Sequence, residues 1–269
     1  MEVYGYLILV FSILLISFGL ILLYFYKRQE KLIFHPEKLP LNHQFTSALD
    51  FEEGFIKVTS NIKLNTLLFK ANEPKGIIFF CHGNAGSMAS WNYLAKEFVK
   101  HGWHFFIWDY RGYGKSNGRI KRERVLINDA EKVYNKVSIE YKNLPIGFVG
   151  CSLGTGIAAN LASKFKTSFL ILITPYFNFK HTVDYHYPFL PTSWLLKYKF
   201  KSNEFVINTE CSVYLIHGTN DHTVPYESSV MLQKISPERI KLLTLDGGLH
   251  SNFSDFDSYS LLIKQILTD

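Results

Sequence analysis

A serine flanked by glycines lies near the middle of the chain, in the segment Gly150-Cys151-Ser152-Leu153-Gly154. The segment follows an apolar run over 146–149 and precedes a stretch with helical spacing, which is the strand–turn–helix context in which this pattern forms a tight turn. Such a turn projects the serine hydroxyl from the end of a sheet, and the glycines let the backbone pack closely. A role for Ser152 as a helix N-cap would explain its hydroxyl, but it would explain neither of the flanking glycines. We therefore predict that Ser152 is a catalytic nucleophile.

A serine hydroxyl needs a neighbouring base, because it is a weak nucleophile at neutral pH. His250 follows the last apolar run, in the glycine-bearing loop 246–250. His217 ends an earlier apolar run, where we expect it to bond the local backbone. We predict that His250 is the base. Activity should then fall in acid, since a protonated imidazole cannot accept the serine proton.

The base in turn needs an acid that orients and stabilises its imidazole. Asp221 lies in the loop 217–225, between the nucleophile and the base, and the order Ser, Asp, His is one that open α/β sheets use for this triad. Its rivals are Asp246, on the same loop as the base, and Asp109, which precedes an Arg-Gly turn and suits a role in tying backbone amides. We predict that Asp221 is the acid.

Two backbone N–H groups are candidates for an oxyanion hole, the fixed donors that a negatively charged intermediate requires. One belongs to Leu153, directly after the nucleophile. The other belongs to Asn84 in the loop His82-Gly83-Asn84-Ala85-Gly86, which follows another apolar run. This loop lacks the Lys-Ser/Thr of a phosphate-binding P-loop, and the dinucleotide motif G-x-G-x-x-G is absent from the sequence. We therefore expect no cofactor.

Short apolar runs alternate with amphipathic segments after residue 50. The runs cover 55–59, 63–70, 76–81, 104–108, 146–149, 168–173, 213–216 and 242–245, and helical spacing covers 90–100, 122–141, 152–165, 226–235 and 255–266. The first two runs are typical of a β-hairpin. The remaining alternation predicts a mostly parallel, doubly wound α/β sheet that is covered on both faces. The motifs above all follow runs, as expected if ligands bind at the carboxyl ends of strands.

The N-terminal stretch 3–26 contains no charged residue and is dominated by Leu, Ile, Val and Phe. As a helix it is roughly 36 Å long, enough to cross a hydrocarbon core of ~30 Å. A cleaved signal peptide fits less well, because neither a basic start nor a small-residue cleavage site is present. We predict one transmembrane anchor over 1–26, a juxtamembrane connector over 27–50 and a catalytic domain over 51–269. Basic residues after the anchor favour a cytoplasmic domain.

Composition excludes several classes of protein. The net charge of +6 comes from scattered residues without a basic stripe interleaved with aromatics, so nucleic-acid binding is not expected, and attraction to anionic lipid headgroups is the more natural use of this charge. The cysteines lack a C-x-x-C spacing, so we expect neither a disulfide framework nor a metal site. They are Cys81, Cys151 and Cys211.

Taken together, these motifs resemble the α/β-hydrolase superfamily over residues 51–269. They are 82–86, Asp109-Tyr110-Arg111-Gly112-Tyr113-Gly114, 150–154, Asp221 with Val224-Pro225, and Gly247-Gly248-Leu249-His250. With its anchor the chain is similar to the small-cap, membrane-tethered abhydrolase-domain group, often labelled serine-aminopeptidase-like, which includes protein depalmitoylases. The resemblance implies a serine hydrolase that cleaves esters or thioesters through an acyl-enzyme. A peptidase or amidase and a non-catalytic tethered binding protein remain alternatives.

The stretch 175–211, which we call the cap, is the longest insertion between predicted strands and is rich in aromatic residues. In folds of this type it overhangs the nucleophile as a short helical lid. Its aromatic side chains suit an acyl group, although they equally suit packing within the cap itself. The substrate-contacting candidates are Met88, Trp91, Tyr176, Phe177, Tyr187 and Trp194. The expected partners are an acyl ester or thioester and the lipid bilayer.

Overall fold

The computed structural model describes residues 2–268, in which a long N-terminal helix precedes alternating strands and helices. The helices are α1 (Glu2–Ile33), α2 (Met88–Trp91), α3 (Ala95–Val99), α4 (Glu123–Glu140), α5 (Leu153–Ala162), α6 (Phe179–His186), α7 (Thr192–Leu195), α8 (Ser202–Ile207), α9 (Glu227–Gln233) and α10 (Asp257–Thr268). The strands are β1 (His35–Pro36), β2 (Phe51–Thr59), β3 (Ile62–Phe69), β4 (Gly76–Cys81), β5 (Ala85–Gly86), β6 (Trp103–Trp108), β7 (Ile146–Cys151), β8 (Phe169–Ile173), β9 (Ser212–Gly218) and β10 (Ile240–Leu245).

Within the described chain, eight strands form one sheet in the order β10-β9-β8-β7-β4-β6-β3-β2. The strands from β10 to β6 are parallel, and β3 runs antiparallel to both of its neighbours. Strands β4, β6, β7 and β8 are buried along their whole length, which explains why they appear in the sequence as continuous apolar runs. The predicted mostly parallel, doubly wound sheet is confirmed.

Helices cover both faces of this sheet. One face packs on α4, α5, α8 and α9 around Phe79 and Phe148, and the other packs on α3 and α10 around Phe80 and Phe105. Because successive side chains of a strand point to opposite faces, neighbours such as Phe79 and Phe80 contribute to different layers of the core. The sheet is thereby held rigid where its strands end and the motif-bearing loops begin.

The helix predicted over 90–100 is interrupted in the structure. It divides into α2, a 3-10 turn over Asn92–Leu94, and α3. The interruption lets Trp91 donate its indole N–H to the carbonyl of Ala85 (3.1 Å), while Leu94 and Phe98 enter the core.

The N-terminal helix continues beyond the predicted anchor boundary at residue 26. It ends at Ile33, so the first part of the predicted connector 27–50 is helical. The reason is packing, because Gln29, Ile33 and Phe34 are buried against the domain. Beyond the helix, β1 pairs in parallel with β5, which ties the connector to the loop after β4.

Helix α1 is long and apolar enough to cross a membrane. Its most apolar window of 18 residues has a mean hydropathy of 2.8, and none of this window is buried within the described part of the chain. A core helix of a soluble domain is mostly buried, unlike α1. Its length, apolarity and exposure make α1 a candidate for a single transmembrane span.

Candidate active site

Ser152 lies at the turn between β7 and α5, in a strained backbone conformation. Its φ is 49° and its ψ is −117°, a region that residues other than glycine rarely adopt. The flanking glycines permit this turn. A Cβ on Gly150 would lie 2.5 Å from the carbonyl oxygen of Gly154, and a Cβ on Gly154 would lie 2.0 Å from that of Cys81. The structure therefore shows the strand–turn–helix geometry that the G-x-S-x-G pattern predicts.

Three side chains that are distant in sequence form one hydrogen-bonded series. Nε2 of His250 lies 3.0 Å from Oγ of Ser152, and Nδ1 of His250 lies 2.7 Å from Oδ2 of Asp221. Ser152 follows β7, Asp221 follows β9, and His250 follows β10, so the series crosses the carboxyl ends of strands in one sheet. The imidazole is thus placed to accept a proton from the hydroxyl while its other nitrogen donates to the carboxylate.

The carboxylate of Asp221 is buried and held by several donors. Burial acts to raise its pKa, but hydrogen bonds from His217 and His250 outweigh burial and hold the pKa of this carboxyl well below its usual range. The backbone N–H groups of Thr223 and Val224 donate to its other oxygen at 2.8 and 2.9 Å. Asp221 therefore carries a negative charge at neutral pH and faces the imidazole in a fixed direction.

His217 supports this acid, a role that the sequence did not reveal. Its buried ring approaches Oγ of Ser229 through Nδ1 at 2.7 Å and Oδ2 of Asp221 through Nε2 at 3.1 Å. Nε2 also approaches the carbonyl of Val224 at 3.1 Å, which agrees with the expected local backbone bond. Since both neighbours of Nε2 accept hydrogen bonds, Nε2 carries the proton. The four-residue spacing to Asp221 was the available signal in the sequence.

The two candidate oxyanion donors lie beside the nucleophile. Leu153 is the first residue of α5, so its N–H is among those that a helix leaves without an internal partner. Leu153, Asn84 and Ser152 line the same cavity. Asn84 is held on three sides, since its side chain donates to the carbonyl of Ile33 (3.0 Å) and its own carbonyl accepts from the N–H of His35 (2.9 Å) and from Tyr113 Oη (2.7 Å).

A buried pair, His82 and Asp109, lies beneath this loop. Burial lowers the pKa of His82 to about 4 and raises the pKa of Asp109 to about 7. Nδ1 of His82 lies 2.7 Å from the carbonyl oxygen of Gly83, Nε2 lies 3.5 Å from Oδ1 of Asp109, and that oxygen accepts the N–H of Met88 at 2.8 Å. Asp109 thus accepts a hydrogen bond from the backbone that follows the loop after β4, as expected for the acid before the Arg-Gly turn.

A cavity of about 250 Å³ opens onto Ser152. Tyr176 and Tyr187, both predicted to contact substrate, line it. Phe25 and Leu32 of α1 also line it, and the sequence gave no signal for them, because their position depends on how α1 packs against the cap. Its lining is mostly apolar, which suits an acyl group.

The other predicted substrate contacts lie elsewhere. Met88 is fully buried in the core, Phe177 packs against the core and the ring of His181, and Trp194 is 67% exposed outside the cavity. Trp91 lines a separate depression that also includes His250. Met88, Phe177 and Trp194 therefore do not line the cavity over Ser152, and aromatic or apolar character alone does not distinguish a pocket wall from core packing or an exposed face.

The thiol next to the nucleophile does not compete with it. Burial raises the pKa of Cys151 to about 12, and only the thiolate is a strong nucleophile. Cys151 therefore stays protonated at neutral pH, and Ser152 is the residue of this turn that lines the cavity.

The chain is similar in sequence and in fold to several known proteins. A curated relative of unknown function from Acanthamoeba polyphaga mimivirus is 25% identical over 250 residues, covering 84% of this chain and 84% of that protein. The lysophosphatidylserine lipase ABHD12 of Danio rerio is 29% identical over 190 residues, covering 63% of this chain and 49% of that protein. The esterase Pf2001 of Pyrococcus furiosus superposes with a TM-score of 0.70 at 17% identity, covering 87% of this chain and 98% of that one.

The fold is therefore that of an α/β hydrolase. The sequence model of the serine aminopeptidase (S33) family matches residues 72–208, which is half of the chain. The protein belongs to this family.

Proposed function

We propose that this protein is a membrane-anchored serine hydrolase that cleaves carboxylic esters or thioesters of apolar acyl groups through an acyl-enzyme on Ser152. The observation that carries the proposal is the series in which His250 lies 3.0 Å from the hydroxyl of Ser152 and 2.7 Å from the carboxylate of Asp221. A hydroxyl, an imidazole and a carboxylate in this succession are the components of nucleophilic acyl transfer.

In the first half of the reaction, Oγ of Ser152 bonds to the acyl carbon while Nε2 of His250 takes the hydroxyl proton. The carbonyl oxygen becomes an oxyanion, and the N–H groups of Leu153 and Asn84 are positioned to stabilise it. When the intermediate collapses, the bond to the leaving group breaks, and His250 returns the proton to the departing alcohol or thiol. The acyl group is then an ester of Ser152.

In the second half, water replaces the leaving group. His250 takes a proton from the water as its oxygen bonds to the acyl carbon, and the bond to Oγ of Ser152 breaks. His250 then protonates Oγ, and the carboxylic acid departs. Asp221 stays charged throughout and stabilises the imidazolium that forms in each half.

The cavity supports an apolar acyl group and does not support an α-amino group. The described residues that line it include no carboxylate, whereas an aminopeptidase needs an acid to hold the free amine of its substrate. Because the family is that of the serine aminopeptidases, an amidase or peptidase activity is the second candidate function. The similarity to a lipase favours a lipid-derived ester.

Membrane attachment through α1 completes the proposal. The helix has the length and apolarity of a single span, and Lys27, Arg28 and Lys31 follow its apolar part. Positive residues tend to stay on the cytoplasmic side, and this tendency favours a cytoplasmic catalytic domain.

The test compares three butyryl compounds that differ only in the bond to be cleaved, an ester, a thioester and an anilide. We expect the full-length protein in detergent to hydrolyse the ester and the thioester, and we expect Ser152→Ala to reduce both rates by at least about 10³-fold. Hydrolysis of the anilide alone would favour the peptidase candidate. Binding of all three compounds without turnover would contradict the enzyme and leave a binding protein.

A further inference from the structure

The end of α1 is bonded to the cap. The buried side chain of Gln29 donates to the carbonyl of Leu195 (2.8 Å) and accepts from the N–H of Lys197 (2.9 Å). Lys197 also pairs with Glu30 at 3.3 Å. The Gln29 amide thus both donates to and accepts from the backbone of the cap. These two hydrogen bonds fix the position of the end of α1 relative to the cap. The helix end is therefore a fixed part of the domain.

The same helix end is bonded to the loop beside the nucleophile. Ile33 accepts a hydrogen bond from the side chain of Asn84 through a carbonyl that the helix terminus leaves free, and His35 donates its N–H to the carbonyl of Asn84. Asn84 is the residue whose N–H faces the developing oxyanion in the proposed reaction. The membrane helix and the reaction site are thus joined without an intervening linker.

Helix α1 and the cap both contribute walls to the cavity over Ser152. Phe25 and Leu32 come from the helix, and Val183, Tyr187 and Leu190 come from the cap. Leu32 is 48% exposed and Tyr187 is 45% exposed, so both stand at the mouth rather than at the floor. The mouth is a gap between a candidate membrane helix and an aromatic lid.

This mouth lies near the end of the apolar stretch of α1. The ring of Phe25, at the end of the apolar stretch of α1, lies 6.2 Å from the ring of Tyr187. Beside Tyr187, the cap exposes three further large side chains, Tyr185, Phe189 and Trp194, at 59–67%. Tyrosine and tryptophan are the residues that favour the boundary between hydrocarbon and water. The exposed cap face is therefore continuous with the segment of α1 that would enter the bilayer.

We infer that α1 is a wall of the substrate site and that the substrate is a membrane-resident, single-chain acyl ester, which enters from the bilayer between α1 and the cap. The inference rests on the function proposed above. The cavity of about 250 Å³ lies below the usual range of ~300–1,000 Å³ for ligand sites, and this small volume favours one acyl chain over two. The reacting ester group then lies at Ser152, and the chain runs back along Phe25 and Leu32 toward the hydrocarbon.

The test uses full-length protein in phospholipid nanodiscs and two fluorogenic esters with the same leaving group, 4-methylumbelliferyl palmitate and 4-methylumbelliferyl acetate. The palmitate resides in the bilayer, whereas the acetate is soluble and short. Leu32→Trp narrows the mouth from the helix, and Val183→Trp narrows it from the cap. Leu23→Trp is the matched control, because Leu23 is exposed to a similar extent (46%) on α1 and does not line the cavity.

We expect Leu32→Trp and Val183→Trp each to lower the ratio of palmitate hydrolysis to acetate hydrolysis by roughly tenfold or more, since added bulk at the mouth obstructs a long chain more than a short acyl group. Leu23→Trp should match the wild type on both esters. Unchanged palmitate hydrolysis in both mouth variants would overturn the inference, and so would an equal loss on both esters. In either case the wild type still hydrolyses acetate, and the proposed function stands. Only a wild type that is inactive on both esters would refute that function.

Discussion

The imidazole of His217 lies 3.1 Å from the carboxylate oxygen of Asp221 that also faces His250. One carboxylate therefore connects a buried histidine, anchored on Ser229, to the imidazole beside the nucleophile. The orientation of the base is then fixed by a chain of contacts that begins in the core of the domain. We therefore expect the site to be sensitive to substitution of Asp221.

Replacing the acid should remove most of the activity and leave the fold intact. In Asp221→Asn we expect kcat to fall by roughly 10³–10⁴-fold with KM nearly unchanged, because a neutral amide cannot stabilise the imidazolium. Steady-state hydrolysis of a butyryl ester measures this effect. Asp246→Asn is the control, since this exposed carboxylate lies on the loop of His250 and is the rival acid in the sequence. A comparable loss in the control would reassign the acid.

The buried histidine should act by positioning Asp221. We expect His217→Ala to lower kcat by roughly tenfold, because Asp221 loses a donor that is worth about 1.5 kcal/mol or more. His217→Gln should recover most of the rate, since an amide N–H can reach the same carboxylate oxygen. Parallel loss in both variants, with unchanged thermal stability, would argue against a hydrogen bond to Asp221 as the role of this residue.

The turn at the nucleophile should not tolerate a methyl group. Gly154→Ala places a Cβ 2.0 Å from the carbonyl oxygen of Cys81, so we expect a loss of about 2–4 kcal/mol in the free energy of unfolding together with loss of activity. Thermal unfolding in detergent measures the change. Gly54→Ala serves as the matched substitution, because its nearest contact is the hydroxyl of Thr66 at 3.2 Å, a side chain that can move. Equal midpoints for the two variants would contradict the close packing of the turn.

The pH dependence of stability should carry a contribution from Asp109. Burial raises its pKa to about 7, so the folded protein binds this proton more tightly than the unfolded chain does. The stabilisation is complete below the ordinary pKa of about 3.9 and is lost as the pH rises through about 7. Asn resembles the protonated acid and does not ionise. The thermal midpoint of Asp109→Asn should therefore rise relative to that of the wild type as the pH increases from 4 to 7. A difference that stays constant or shrinks over this range would show that Asp109 is already ionised in the fold at acid pH.

Much of this architecture could be predicted from the sequence, because its signals are local. Buried parallel strands give continuous apolar runs, and the loops after them carry the motifs, so strand order along the chain indicated which side chains would meet. Ser152, Asp221 and His250 were chosen on that basis, and the structure places His250 within hydrogen-bonding distance of both Ser152 and Asp221. Their catalytic roles remain predictions.

Other features were hidden from the sequence because they depend on packing between distant segments. The contact between Gln29 and the cap joins positions that are 166 residues apart, and no local pattern marks a glutamine in a juxtamembrane stretch as buried. Met88 illustrates an ambiguous signal in the sequence, since an apolar residue after the loop of Asn84 fits a pocket wall and a core position equally well. In the structure Met88 is fully buried at the start of α2.

The measurement that tests the central claim most directly is the site of covalent labelling by a fluorophosphonate. The full-length protein is treated with the reagent and digested, and the adduct is located by mass spectrometry. The account predicts an adduct on Ser152 in the wild type, labelling slowed by at least about 10³-fold in His250→Ala, and no adduct in Ser152→Ala. An adduct on another residue, or labelling that persists in Ser152→Ala, would contradict the account.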